Sequence, residues 1–472
     1  MIQERGQEYA PFKVEQRGID LIPDEERGMR PSGLFWLWAG AIFNVEFFFY
    51  GYLISSFGLS FGQALLAIII GNLFYAFLGL ASLQGPEAGT TAFVISRAPF
   101  GRNGNRLVAF FNWFTQVGFE IEGVFLVVAT ALFLFSQYGQ SLSPAGKIIV
   151  VIAASAVQLL MPFFGHATMT RVLRWLSYVF IVLFAILAVL VLTSHFNASF
   201  AAKASWADWT TALVVIISVG GLGWVENGND YSRYLPRTTS KWSTFWAATL
   251  GAGIPSVLLE ILGALAATVT TKTLAVQGLG IPAVLPAWFL VPFMLFAIVQ
   301  LFSINTIDLY SSGVTLQALG LPVKRWGAVI IDTVIVAIVT GLVLFNGNFY
   351  DDLTGFFLYI VVWLAPWFGI FIVDWLLRRG RYDANALADA NGGRYWRSGG
   401  INWPAIVALI LGMIAALLWI NASFAVPSFV GPLSNVIPSL KGSDFSWLLG
   451  VVVGAVVYWL LARGRIREEV RD

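Results

Sequence analysis

The chain has 472 residues, 58% of them apolar and 11% charged, where soluble domains run near roughly 45–50% and 25%. A water-soluble fold of this length cannot hide so much apolar side chain, so much of it must face lipid. There is no cysteine, and His166 and His195 are the only histidines; disulfides and thiolate metal sites are excluded, and little is left for imidazole catalysis or a metal cluster. The net charge of +2 says little. Its distribution says more.

The first thirty residues are polar and mixed in charge, with no apolar core of a cleavable signal peptide. After them come apolar stretches that each suffice for the roughly 20 residues of a spanning helix. Spans 1 to 12 are expected near 33–57, 60–83, 106–136, 146–164, 172–194, 210–230, 242–271, 284–319, 325–347, 353–378, 402–422 and 444–463. Basic residues test this count. With the amino terminus in the cytoplasm, 24 of the 28 Lys and Arg fall on inner segments, and only Lys147, Lys203, Lys272 and Lys441 fall outside. Adding or dropping one helix would scramble that alternation. Both termini are therefore expected in the cytoplasm of a multi-pass protein of the cell's inner (plasma) membrane.

The expected organisation is a tail (1–32), a ten-helix core (33–378), a glycine-bearing linker (379–401), helices 11 and 12 (402–463) and a second tail (464–472). Ten helices can be two five-helix repeats, and an odd number per repeat forces opposite topology. First helices of such repeats are commonly broken near the midplane. Span 1 carries Gly40-Ala41-Ile42-Phe43-Asn44, and span 6 carries Gly220, Gly221 and Gly223 before Trp224, Glu226 and Asn227. Three glycines in four residues cost a helix roughly 1 kcal/mol each. Close packing through small residues is the competing reading of both.

Six acids inside the spans stand out: Glu46, Glu120, Glu122, Glu226, Glu260 and Asp308. Each costs about 2.5–3.5 kcal/mol or more if charged and lipid-facing. None has a Lys or Arg partner in its own span. They must be protonated, hydrated, or paired with a bound cation, as suits a carrier coupled to protons or cations. A hydrogen-bonded structural role is assigned first to Glu260 and Glu46. Asp230 and Arg233 read as an i,i+3 structural pair, and the two histidines as interfacial.

Helical phase sharpens the choice. Asn112, Gln116 and Glu120 recur every four residues on span 3, with Phe119 beside them and Glu122 on another side. On span 8, Asn305, Asp308 and Ser312 share a face, with Gln300 and Ser303 about a turn earlier. Two stripes and two breaks at one depth would enclose a midplane pocket, to which Asn44 also contributes. A buried polar network that only joins helices is the alternative.

The segment Val14-Glu15-Gln16-Arg17-Gly18-Ile19-Asp20, with Ile22-Pro23 and Glu26-Arg27, resembles the amino-terminal signature of the purine–cytosine permeases. So do Val94-Ile95-Ser96-Arg97 with Phe100-Gly101 and Gly104-Asn105, Gly223-Trp224 with Asp230 to Pro236, and Asn305 with Tyr310-Ser311 and Gly313. The resemblance implies a nucleobase–cation symporter of the LeuT-type fold, all-α, with two inverted five-helix repeats plus two carboxy-terminal helices. It implies alternating access and substrates that are nucleobases, hydantoin- or allantoin-like rings, or vitamins. Carried over by position, Asn305 would hydrogen-bond substrate and Gly220 to Trp224 would line the pocket. Phe119 stands where many members stack a tryptophan, and Ile304 where a sodium-using member would place a hydroxyl, although Ser303 remains.

The expectation is thus a transporter, not an enzyme, that imports a small planar nitrogen heterocycle with a coupling cation, H⁺ in preference to Na⁺. Substrate would meet Asn44, Gln116, Phe119, Glu120, Gly220, Gly221, Gly223, Trp224, Asn305 and Asp308. Ion coupling would fall to Glu120, Glu122, Asp308 and Ser303. No cofactor, metal or nucleic acid is expected. The alternatives are a cationic or vitamin-like ring of the thiamine or pyridoxine type, an intramembrane enzyme using paired acids, and a channel.

Overall fold

The structure, a computed structural model, describes residues 18–160, 162, 166–194, 203–269, 285–346, 349–389 and 392–471. Eight of the described helices are long and apolar enough to cross a membrane, and the pair Pro31–Ile42 and Val45–Ser55, bent by 55°, forms a ninth span. Three shorter apolar helices are Pro144–Gln158, Trp206–Val219 and Trp403–Trp419. They fall one to one on the twelve expected spans. Helix dominates because lipid offers no partner to a free backbone amide. Among the described residues, the only sheet is a two-residue hairpin after span 11, pairing Asn421 with Val430 and Ala422 with Phe429.

Span 8 (Ala287–Ala318) lies along span 3 (Gly104–Gln137), and span 7 (Lys241–Val269) along both halves of span 1. Spans 10 (Phe349–Leu377), 11 and 12 (Ser446–Arg471) pack together. Spans 4, 5 (His166–Leu192) and 9 (Arg325–Asn346) expose Ile149, Val182 and Ile338 by more than half, as lipid-facing helices do. Polar side chains collect where spans 1, 3, 6 and 8 meet.

The linker does not hang free. Residues 384–388 form a helical turn, and the segment is fixed to the short helices before span 3. Arg97 donates to the Leu387 carbonyl (3.0 Å), Arg102 to that of Asp389 (2.7 Å), and Asn103 to that of Gly399 (2.8 Å). The start of the described chain is also bound down: Ile22 donates to Gly89 (2.9 Å), and Arg27 is buried against the carbonyls of Ile22 and Pro86. The expectations placed on Arg5, Lys13, Arg17, His195 and Lys272 lie outside the described residues.

Candidate substrate and ion site

Both expected breaks are present, for different reasons. In span 1 the break falls at Phe43–Asn44. Asn44 caps the second half by accepting from the Glu46 amide (3.0 Å), and its amide group donates to the Gln300 carbonyl of span 8. Gly40 serves packing instead: a Cβ there would meet the Leu173 carbonyl of span 5 at 2.5 Å. So span 1 contains both a break and a close contact. In span 6 the helix stops at Val219, and the chain resumes as a 3-10 turn (Val225–Asn227) and a short helix, Gly228–Ser232. The Trp224 indole donates back to the Val219 carbonyl (3.1 Å), satisfying an acceptor that the break had freed. Gly221 is required because a Cβ would overlap the Phe74 backbone of span 2.

Aromatic rings wall the space beside these breaks. Phe119 and Trp224 lie nearly parallel, 20° apart with centroids at 6.2 Å, and Phe357 of span 10 stacks on Phe119 at 6.2 Å and 30°. Phe356 meets Phe119 edge-on at 5.1 Å, and Trp38 meets Trp224 edge-on at 5.8 Å. A flat ring between two aromatic faces needs about 7 Å, twice the ~3.5 Å contact distance. The Phe119–Trp224 pair would open by about 1 Å to admit one.

Acids crowd the same centre. Asp308 is buried with its Oδ1 unmatched, and it lies within electrostatic reach of Glu46, Glu120, Glu122 and Glu226. Tyr50 of span 1 donates to Glu122 (3.0 Å). Gln116 donates to Glu226 (3.1 Å) and to Asn227 (2.9 Å), joining span 3 to the broken span 6. Both Glu120 oxygens are buried without a hydrogen-bond donor. Among the described residues, no three histidine or acidic groups converge as metal ligands do.

The stripe on span 8 divides among three destinations. Asn305 turns toward spans 3 and 4, donating to the Glu120 carbonyl (3.2 Å) and to Gln158 (3.1 Å), and packs where a Cβ on Gly123 would collide with it. Asp308 faces the broken helices, and Ser312 donates to Asp332 of span 9 (2.9 Å). Ser303 donates to its own helix at Val299 (2.8 Å). Of the span 3 stripe, Asn112 bonds Thr315 (2.8 Å), Gln116 reaches the centre, and Glu120 turns toward Ser312 and Asp332, with Asp308 further off. Periodicity identifies a face, but a face 100° wide can meet several neighbours.

Other expectations need correction. Glu260 is the structural group foreseen, accepting from Asn72 (2.5 Å) and Ser256 (3.1 Å). Glu46, assigned the same part, lies within electrostatic reach of Glu122 and Asp308 instead. Asp230 accepts from the Ala92 amide (3.0 Å), and Arg233 reaches the carbonyl of Asp230 (3.2 Å) and the Tyr310 hydroxyl (2.8 Å). His166 opens span 5, as expected of a span end, but it is buried and stacks on Tyr234 at 3.8 Å and 14°. Asp332 escaped the reading of the sequence. It is a buried acid in an apolar span with no basic residue between Arg325 and Arg378, and that signal could have found it.

Two cavities bracket the centre along span 1. One of about 600 Å³ lies at its start, lined by Glu26, Arg30, His166, Arg174 and Tyr234 among others. The other, about 380 Å³, lies at its far end beside Phe49, Tyr52, Asp351 and Thr354. A buried polar centre between two vestibules is the geometry of a carrier.

Residues 21–450 match the family described as permease for cytosine/purines, uracil, thiamine, allantoin. The chain belongs to the purine–cytosine permease family. It is 30% identical to YxlA of Bacillus subtilis, a purine–cytosine permease candidate, over 97% of this chain and 98% of that one. It is 24% identical to the purine–cytosine permease FCY2 of Saccharomyces cerevisiae, over 96% and 86%. The fold is similar to that of Mhp1, a nucleobase-cation-symport-1 family transporter solved in a closed conformation with bromovinylhydantoin bound. The TM-score is 0.72 at 17% identity, covering 98% of this chain and 96% of that one. The architecture is therefore the LeuT-type one: two inverted five-helix repeats, then spans 11 and 12. As a member of this permease family the protein is a multi-pass membrane transporter and not an enzyme.

Proposed function

We propose that this permease imports a planar nitrogen heterocycle by proton symport. It would sit in the cell's inner membrane with both termini in the cytoplasm. Transport would belong to the core at 33–378, with the linker and helices 11 and 12 bracing it. The near-parallel Phe119 and Trp224 rings, set against the break of span 6, carry this reading. Two facing π-surfaces accept a flat ring by stacking, each contact worth about 0.5–1.5 kcal/mol beyond its buried area. Gln116, Asn227 and Glu226 then offer donors and acceptors at the ring's edge. Alternating access follows if the site opens by turns to the two vestibules.

Protons are favoured as the coupling ion by the groups at hand. Ile304 is apolar, whereas Glu120, Glu122 and Asp308 supply carboxyls with unmatched oxygens. The same surplus of acid favours a second reading, a cationic ring of the thiamine type, thiamine being one of the substrates in the family's description. A thermal-shift screen of purified protein against cytosine, hypoxanthine, uracil, allantoin, hydantoin, thiamine and pyridoxine tests both. Stabilisation by a neutral ring supports the first. Stabilisation by thiamine alone supports the second, and no response to any of them counts against both.

A further inference from the structure

We propose that Asp332, hydrogen-bonded to Ser312 on the side that Glu120 faces, is the proton-binding site of this transporter, set to one side of the substrate slot. The inference rests on the proton-coupled reading above and names the groups that would perform it. Asp332 is buried on span 9, a helix whose neighbouring Ile331 and Val334 face outward. It accepts from the Trp113 indole of span 3 (2.7 Å) and from the Ser312 hydroxyl of span 8 (2.9 Å). Ionisable groups inside spans mark ion paths more often than they serve packing.

The second observation is Glu120. Its side chain is fully buried, and neither oxygen has a hydrogen-bond donor. The groups that face it are Ser312, Asp332 and, further off, Asp308; among the described side chains no lysine or arginine bears on either Glu120 or Asp332. An ionised carboxylate without a donor is costly in such a place. A protonated Glu120 has a hydrogen to give, and Ser312 has an oxygen free to accept it. The transfer balances. Glu120 releases its proton to the Ser312 oxygen while the Ser312 hydroxyl proton passes to Asp332. One O–H bond breaks at Glu120, one forms at Asp332, and Ser312 ends with the hydroxyl it began with.

The direction of this relay separates it from the substrate path. Glu120 lies near the middle of span 3. Asp332 is one-third along span 9, about 10 Å from Arg325 by helical rise. A proton would move from mid-depth toward the Arg325 end between spans 3, 8 and 9, while substrate passes between spans 1 and 6.

The test uses the full chain in proteoliposomes with trapped pyranine and radiolabelled cytosine or hypoxanthine, whichever the wild type accumulates. Net accumulation needs the proton, whereas counterflow exchange needs only substrate binding and alternation. In a gradient of about two pH units, one-to-one symport supports an accumulation of about 100-fold. D332N is expected to keep counterflow within about threefold while accumulation falls to unity and the pyranine signal is lost. Asp332→Glu is expected to restore both. Wild-type accumulation and proton flux in D332N would overturn the proposal while leaving proton symport standing. Accumulation by the wild type without proton flux would overturn both. If D332N loses counterflow as well, Ser312→Ala decides: reduced coupling supports the relay, and wild-type coupling overturns it.

Discussion

Phe119 of span 3 and Trp224 at the break of span 6 face each other at 6.2 Å with their planes 20° apart. If substrate is held between them, removing one face removes one stacking contact. Phe119→Ala is expected to raise KM for a neutral heterocycle by about 2–12-fold, from about 0.5–1.5 kcal/mol per stack. Maximal rate should change less. Concentration-dependent uptake measures both, and an unchanged KM would move the substrate elsewhere.

Asn305 gives a second expectation, because its amide spans two other helices. It donates to Gln158 and to the Glu120 carbonyl. Gln158→Leu should therefore lower stability by about 1–3 kcal/mol, the cost of an unmatched buried polar group, and Asn305→Leu should add little beyond it. A double-mutant cycle followed by thermal unfolding in detergent checks the coupling. Additive effects, with a large KM rise only in Asn305→Leu, would show Asn305 reading the substrate rather than joining helices.

Glu260 separates structural acids from those at the centre. With Asn72 and Ser256 both donating to it, Glu260→Gln keeps an acceptor for one of them, and transport with its pH profile is expected to stay near wild type. Glu260→Ala should cost about 1–3 kcal/mol of stability by stranding buried donors. Glu122→Gln, by contrast, alters a carboxyl among Glu46, Tyr50 and Asp308 and should flatten the pH profile of uptake. Initial rates measured across pH 5 to about 8 compare the variants at the pH range where such coupling reads out.

The break in span 6 leaves no room for a side chain at Gly221, where a Cβ would overlap the Phe74 backbone. Gly221→Ala is expected to reduce folded yield or Tm sharply, since overpacking against backbone costs typically 1–3 kcal/mol or more, about as much as a core defect. Normal yield and transport in this variant would mean that spans 2 and 6 are not held so close.

Much of this was legible in the chain itself. Apolar length and the alternation of basic residues along the sequence mark where the helices fall, because lipid imposes length and charge rules that are local in sequence. The glycines at 220, 221 and 223 announced the second break for the same local reason. Destinations of polar side chains were not legible. Asn305, Asp308 and Ser312 share a helical face, yet they meet spans 3 and 4, the broken helices, and span 9 respectively. Asp332 was passed over because its partners, Trp113 and Ser312, come from other helices and are distant in sequence. The burial of His166 was not legible because it depends on Tyr234, distant in sequence.

If import is proton-coupled, as proposed, the chain accumulates a planar heterocycle at the expense of a proton gradient. Proteoliposomes loaded at neutral pH and diluted into acidic buffer containing labelled cytosine, hypoxanthine, uracil or allantoin test it directly. The expected result is accumulation above the external concentration, abolished by a protonophore and unaffected by replacing sodium with choline. Equilibration without accumulation, or accumulation that requires sodium and survives the protonophore, would contradict it.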